Sequence, residues 1–226
     1  MSEDEPPGPR VVSARALRDI SVALQAGTPE WPGDTPFSCG WSWAMAKGAS
    51  VNVSAISTSP HVGTHADAPL HVRDGWPGSH ELPLEVFFGP ALVVDVSDAD
   101  GPLDLPALEA RLPAGAALER LLLRTGRTVA NGRFPESWPT LTEDATRALL
   151  GRGLRLLGVD APSVDAREST SLPVHHMLFS GGAFNLENLD LRRTPPGRYD
   201  LIAFPLRIMA LDAAPVRAVL VETSGD

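Results

Sequence analysis

The chain has 226 residues, 43% apolar and 21% charged, with a net charge of -9; that is enough for one well-buried core and cramped for two. The acidic balance, with no Lys/Arg cluster interleaved with aromatics, excludes a nucleic-acid partner, and no stretch nears the ~18 to 20 apolar residues that cross a bilayer. One cysteine, Cys39, can form neither an internal disulfide nor a thiolate zinc knuckle, and the acidic, proline-rich start lacks the pattern of a secretory signal, so a soluble cytoplasmic protein is expected.

Residues 1–13 are rich in Pro, Gly and charge and read as a flexible acidic tail, leaving a single domain over 14–226. Residues 28–37 form a turn-dense loop that carries Trp31 in the stretch WPGD. The alternation over 51–57 predicts a strand that Pro60 stops. Short Val/Leu/Ile runs at 91–95, 118–125, 154–160, 200–205 and 218–222 read as core strands. Between them, 105–112 and 142–150 have helical spacing, with Thr142 and Asp144 as a start signal. Residues 171–180 make a third helix with Pro173 in its first turn. Strands alternating with helices indicate an α/β or mixed α+β domain.

Five of the six histidines fall in two segments: His61, His65 and His71 in SPHVGTHADAPLH, and His175 and His176 in LPVHHMLFSGG. His61 and His65 have the i, i+4 spacing of helical zinc ligands, but Pro60, Gly63 and Pro69 argue for a loop leaving a strand. Gly63 brings the backbone close to an ion, and Asp67 adds a hard anionic oxygen to two imidazoles. Two His and one carboxylate leave positions open for water, as a catalytic metal site requires. His71 is a further ligand or a residue that orients one. His80, outside both segments, reads as a surface residue. Adjacent histidines on a helix point apart, so only one of His175 and His176 can share an ion, and composition does not choose between them. Glu187 lies among Phe184, Leu186 and Leu189 and needs a partner, either a metal or a salt bridge.

With SPHVGTHADAPLH, WPGD, VDAPSVD and HHMLFSGGAFNLENL in view, the chain resembles the cyclase family, and within it the bacterial kynurenine formamidases. The resemblance runs from about residue 19 to about 222. It implies a swivelling β/β/α domain, usually in a homodimer, holding a pair of divalent ions. Zinc is expected, two per subunit, with Mn or another divalent ion as an alternative. His61, His65 and Asp67 would hold the first ion. Asp67 would bridge to a second on His175, and Glu187 would touch both; the interval from His175 to Glu187 decides against His176. His71 would be the general acid/base, and Trp31 would lie against the aromatic part of the substrate.

The implied reaction is hydrolysis of N-formyl-L-kynurenine to L-kynurenine and formate in tryptophan degradation, by a metal-activated water with a histidine acid/base. The partner is thus a small aromatic formamide. The alternatives are another amide hydrolase of the family, such as one opening isatin, and a metal-holding module without turnover. No G-x-S-x-G elbow supports a serine hydrolase.

Overall fold

The computed structural model describes residues 17–113 and 118–223; the tail expected over 1–13 lies outside them. The strands are β1 (Leu17–Asp19), β2 (Ser38–Trp43), β3 (Val53–Ser57), β4 (His65–Asp67), β5 (Phe88–Asp95), β6 (Arg120–Arg124), β7 (Leu156–Val159), β8 (Phe184–Leu186), β9 (Gly197–Ile202), β10 (Ala213–Pro215) and β11 (Val219–Glu222). The α-helices are α1 (Leu105–Glu109), α2 (Glu143–Gly151) and α3 (Pro173–Ser180).

Seven strands form the main sheet in the order β1-β11-β9-β5-β6-β7-β8. β5 to β8 run parallel, while β9, β11 and β1 join antiparallel. Each parallel step is crossed by one helix, α1, α2 or α3 in turn. Crossovers of one hand put successive helices on the same face when the sheet grows in one direction. Alternate residues of the central strands therefore feed two cores. Leu92, Val94, Leu121, Leu123, Leu157 and Val159 pack with Leu108, Leu149 and Leu178 of the helices. Val93, Leu122, Leu156 and Leu186 face the other way, onto Ile20, Phe87 and Ala66 of β4. The small β4–β10 sheet thus lies over the face opposite the helices, the expected β/β/α layering of a mixed α+β fold.

Local chemistry sets the helix starts. The Thr142 hydroxyl accepts the Ala145 N–H at 3.2 Å, with Glu143 and Asp144 in the first turn of α2. Asp104 does the same for α1, accepting from Ala107 at 2.8 Å. α3 begins on Pro173 after Leu172, whose φ of 44° turns the chain sharply into the helix. Three elements differ from the pattern in the sequence by more than two residues. β5 begins at Phe88 rather than 91. α1 ends at Glu109 rather than running to 112. β9 covers Gly197–Ile202 rather than 200–205, because polar Arg198 and Asp200 pair well with β5 and β11, whereas Pro205 has no N–H to give a ladder. β1, β2, β4, β8 and β10 are short or exposed and carry no apolar run.

Gly158 shows how closely β6, β7 and the Leu189 segment pack. A Cβ there would sit 2.3 Å from Leu122 Cδ2 and 2.9 Å from Leu189 Cδ1. We expect Gly158→Ala to lower stability by about 1–3 kcal/mol in urea unfolding; unchanged stability would show that both leucines can move aside.

Candidate metal centre

The site forms where β4 docks on the end of β8. His65 and Glu187 exchange backbone hydrogen bonds, His65 N–H to Glu187 at 3.3 Å and Glu187 N–H to His65 at 3.0 Å. Period-two alternation puts His65 and Asp67 on one face of β4 and Ala66 in the core behind. The same alternation turns Phe184 and Leu186 to the core and sends Asn185 and Glu187 to the site. Gly63, at φ 73°, makes the turn before β4, so His61 and His65 meet through a loop and not along a helix face.

With both rings neutral, three donor atoms converge here with no proton to share. His65 donates Nδ1–H to the Gly63 carbonyl at 2.9 Å, which leaves its Nε2 bare. His61 donates Nε2–H to Asp212 at 2.9 Å, which leaves Nδ1 bare. That Nδ1 lies 3.2 Å from His65 Nε2 and 3.1 Å from Asp67 Oδ1. Asp67 Oδ1, 3.3 Å from His65 Nε2, is buried without a hydrogen-bond partner. Lone pairs this close repel unless a cation, or protons, stand between them.

The second side of Asp67 is built the same way. His175 donates Nδ1–H to Asp165 at 2.7 Å, and its Nε2 lies 3.2 Å from both Asp67 Oδ2 and Glu187 Oε1. Asp165 also accepts the N–H groups of Val174 and His175 in the first turn of α3, so it fixes both the helix and the ring. Asn185 Nδ2 donates to Asp67 at 2.6 Å and to Glu187 at 3.0 Å. His71, in a 3-10 turn over Pro69–His71, directs Nδ1 to Asp212 at 3.1 Å. Its ligand atom also lies within 4.8 Å of Asp67 and His175, as those of His61, His65 and Asp67 do of one another. Imidazole and carboxylate donors in such sets suit a divalent transition ion.

All six histidine-motif and carboxylate residues read from the sequence, His61, His65, Asp67, His71, His175 and Glu187, come together. His176 does not: it points away, edge-on to Trp76 at 6.4 Å. His80, expected on the surface, is half-buried and accepts the Ala210 N–H. Asp165, Asn185 and Asp212 are the site residues that spacing did not single out. A cavity of about 340 Å³ opens on the histidines and Glu187, and Trp31, Phe134 and Leu172 give it an apolar wall. Trp31 meets Phe134 edge to face at 5.4 Å.

Electrostatics report the same shortage of positive charge. Among the described residues, Asp67, Glu187, Asp165 and Asp212 pair only with histidines and with no Lys or Arg. Burial works against a charged ring, but the hydrogen bond to Asp212 and the Asp67 carboxylate facing the ring outweigh it and raise His61 to about 9. Burial of His65 is likewise outweighed, by Asp67 and Glu187, to about 10. Burial would raise the Asp67 carboxyl, yet His65 and its neighbours hold it well below the usual carboxylate range. Protons fill the place of a cation when none is bound.

Residues 18–166 match the model of the cyclase family. A kynurenine formamidase of Salinibacter ruber is 45% identical over 209 residues, 91% of this chain and 97% of that protein. A kynurenine formamidase of Bacillus cereus is 42% identical over 202 residues, 89% and 95% of the two chains. Among solved structures, one described as a potential metal-dependent hydrolase with cyclase activity superposes with a TM-score of 0.79 at 26% identity, covering 93% of this chain and 99% of that one. Isatin hydrolase A from Labrenzia aggregata gives 0.75 at 27% identity, covering 92% and 94%.

The raised histidines make a signed prediction. A folded-state pKa above the ordinary 6.5 contributes stability that is complete below that pH and is lost as pH rises through about 9 to 10. Chelator-treated protein should therefore show a falling denaturation midpoint across that window. Metal-saturated protein, in which a cation replaces those protons, should lose less and should release protons on binding. A flat midpoint in the chelated protein would contradict the reading.

Proposed function

We propose a reaction from one premise: the chain belongs to the cyclase family. It hydrolyses N-formyl-L-kynurenine to L-kynurenine and formate, a step of tryptophan degradation. The observation that carries this reading is the convergence of bare imidazole and carboxylate donors beneath a cavity with an aromatic wall. The names of the relatives support the substrate.

In this reading His61, His65 and Asp67 would hold one ion and Asp67 and His175 a second, with Glu187 touching both and zinc as the metal. When bound, such ions supply Lewis acidity, lowering the pKa of water to near ~7 and polarising a carbonyl. A formanilide is a resonance-stabilised amide, so its hydrolysis needs that help and a proton for the departing nitrogen. His71 moves this proton. With Nδ1–H held by Asp212, its Nε2 takes a proton from water as the oxygen bonds to the formyl carbon, and returns it to the anilide nitrogen as the C–N bond breaks. Trp31 and Phe134 take the aromatic ring.

The assembly we propose is a cytoplasmic homodimer of single domains over 14–226. Pairing of the first and last described strands, β1 with β11, supports one domain. The β2–β3 ribbon supports the dimer, because Trp41, Trp43 and Ile56 on it are 65%, 62% and 68% exposed, an apolar surface of the kind partners cover.

Metal-loaded protein should turn over N-formyl-L-kynurenine faster than isatin and lose activity to a chelator. Preference for isatin would move it to the other hydrolase of the family, and no turnover of any amide would leave a metal-holding module. His71→Ala should keep its metal and lose roughly 10²–10⁴-fold in kcat; loss of metal content in that variant would make His71 a ligand. Trp31→Ala should raise KM more than it lowers kcat.

A further inference from the structure

Asp212 stands 141 residues from His71 and 151 from His61, yet one of its oxygens reaches both rings. Oδ2 lies 2.9 Å from His61 Nε2 and 3.1 Å from His71 Nδ1. An ionised carboxylate only accepts hydrogen bonds, so each of those nitrogens must carry the proton. In the neutral ring, the form that binds a cation, the other nitrogen is then bare. For His61 that is Nδ1, aimed at Asp67 Oδ1 and His65. For His71 it is Nε2, the atom a proton acceptor needs.

We infer that Asp212 is a positioning residue that fixes the tautomers of His61 and His71 together, binding the metal ligand and the acid/base through one shared carboxylate oxygen. The backbone places it for this work. Asp212 accepts the Ala68 N–H through its carbonyl at 2.8 Å, and the next residue, Ala213, is the β10 partner of Asp67. The carboxylate therefore comes from the same ladder that carries the ligands, and the two rings it holds lie 4.5 Å apart. With the opposite tautomer, His71 would present an N–H to the cavity and leave the Asp212 oxygen with one donor. A carboxylate also makes the ring it holds a better ligand, and loss of such a partner commonly costs about 10–100-fold in metal affinity or activity.

The catalytic half of this inference rests on the proposed hydrolysis; the tautomer half does not. The test combines Asp212→Ala and Asp212→Asn with nitrogen-15 NMR of histidine-labelled, zinc-loaded protein, zinc affinity and steady-state kinetics. Wild type should show protonated Nδ1 and bare Nε2 on His71. The Ala variant should lose that single tautomer, bind zinc about 10-fold or more weakly, and fall about 10–100-fold in kcat with little change in KM. The Asn variant keeps a neutral acceptor of the same shape and should lose less than Ala in each. Retention of the Nδ1–H signal in a folded Ala variant overturns the inference. If that variant does not fold, zinc affinity in the Asn variant equal to wild type overturns it. A wild-type protein without turnover on N-formyl-L-kynurenine would refute the proposed reaction, while NMR and zinc affinity would still decide the role of Asp212.

Discussion

The constraint on which the site depends is that Asp67 is fully buried, carries a charge, and meets no lysine or arginine among the described residues. A carboxylate in that position is too costly to leave uncompensated. The fold answers by surrounding it with three imidazoles, each turned so that a bare nitrogen faces it. That orientation is set from behind: the Gly63 carbonyl holds His65, Asp165 holds His175, and Asp212 holds His61. Because the outer nitrogens are committed, the inner ones are left as donors to a cation. Hydrogen bonds made on the far side of the rings would thus preorganise the cluster for a metal.

The sheet makes such an arrangement affordable in packing terms. β4 offers Ala66 to the core while His65 and Asp67 face the site, and β8 offers Phe184 and Leu186 while Asn185 and Glu187 do so. Each polar pair therefore stands on a strand whose other face is buried, which pins register: a slip by one residue would bury the ligands in the core and expose the alanine or leucine. The β4–β10 pairing then brings the Asp212 segment alongside, so the candidate ligand Asp67 and the Asp212 segment share one ladder.

Much of this was legible in the sequence, for physical reasons that differ by element. The parallel strands β5, β6 and β7 announce themselves because both of their faces are buried and the run is continuously apolar. α2 carries its own start signal in Thr142. The ligand segments were legible because histidine, glycine and proline crowd into few positions. β4 and β10 were not, since each has three residues and takes its form from its partner. Asp212, in LDAAP, looks like any turn carboxylate until the fold brings it to His61. The two aspartates of VDAPSVD also divide only in three dimensions. Asp160 accepts from Thr125 and Gly126 and secures the loop after β6, whereas Asp165 holds His175.

The histidines are also graded by their access to solvent. The side chains of His65 and His175 are 1% and 2% exposed, His61 19% and His71 28%. Ion-holding groups gain from desolvation, because a cation is then attracted without competition from water. The acid/base role proposed for His71 has the opposite need, since the ring must reach both the attacking water and the leaving nitrogen. One strand, one turn and one shared carboxylate place rings of these different exposures a few ångströms apart.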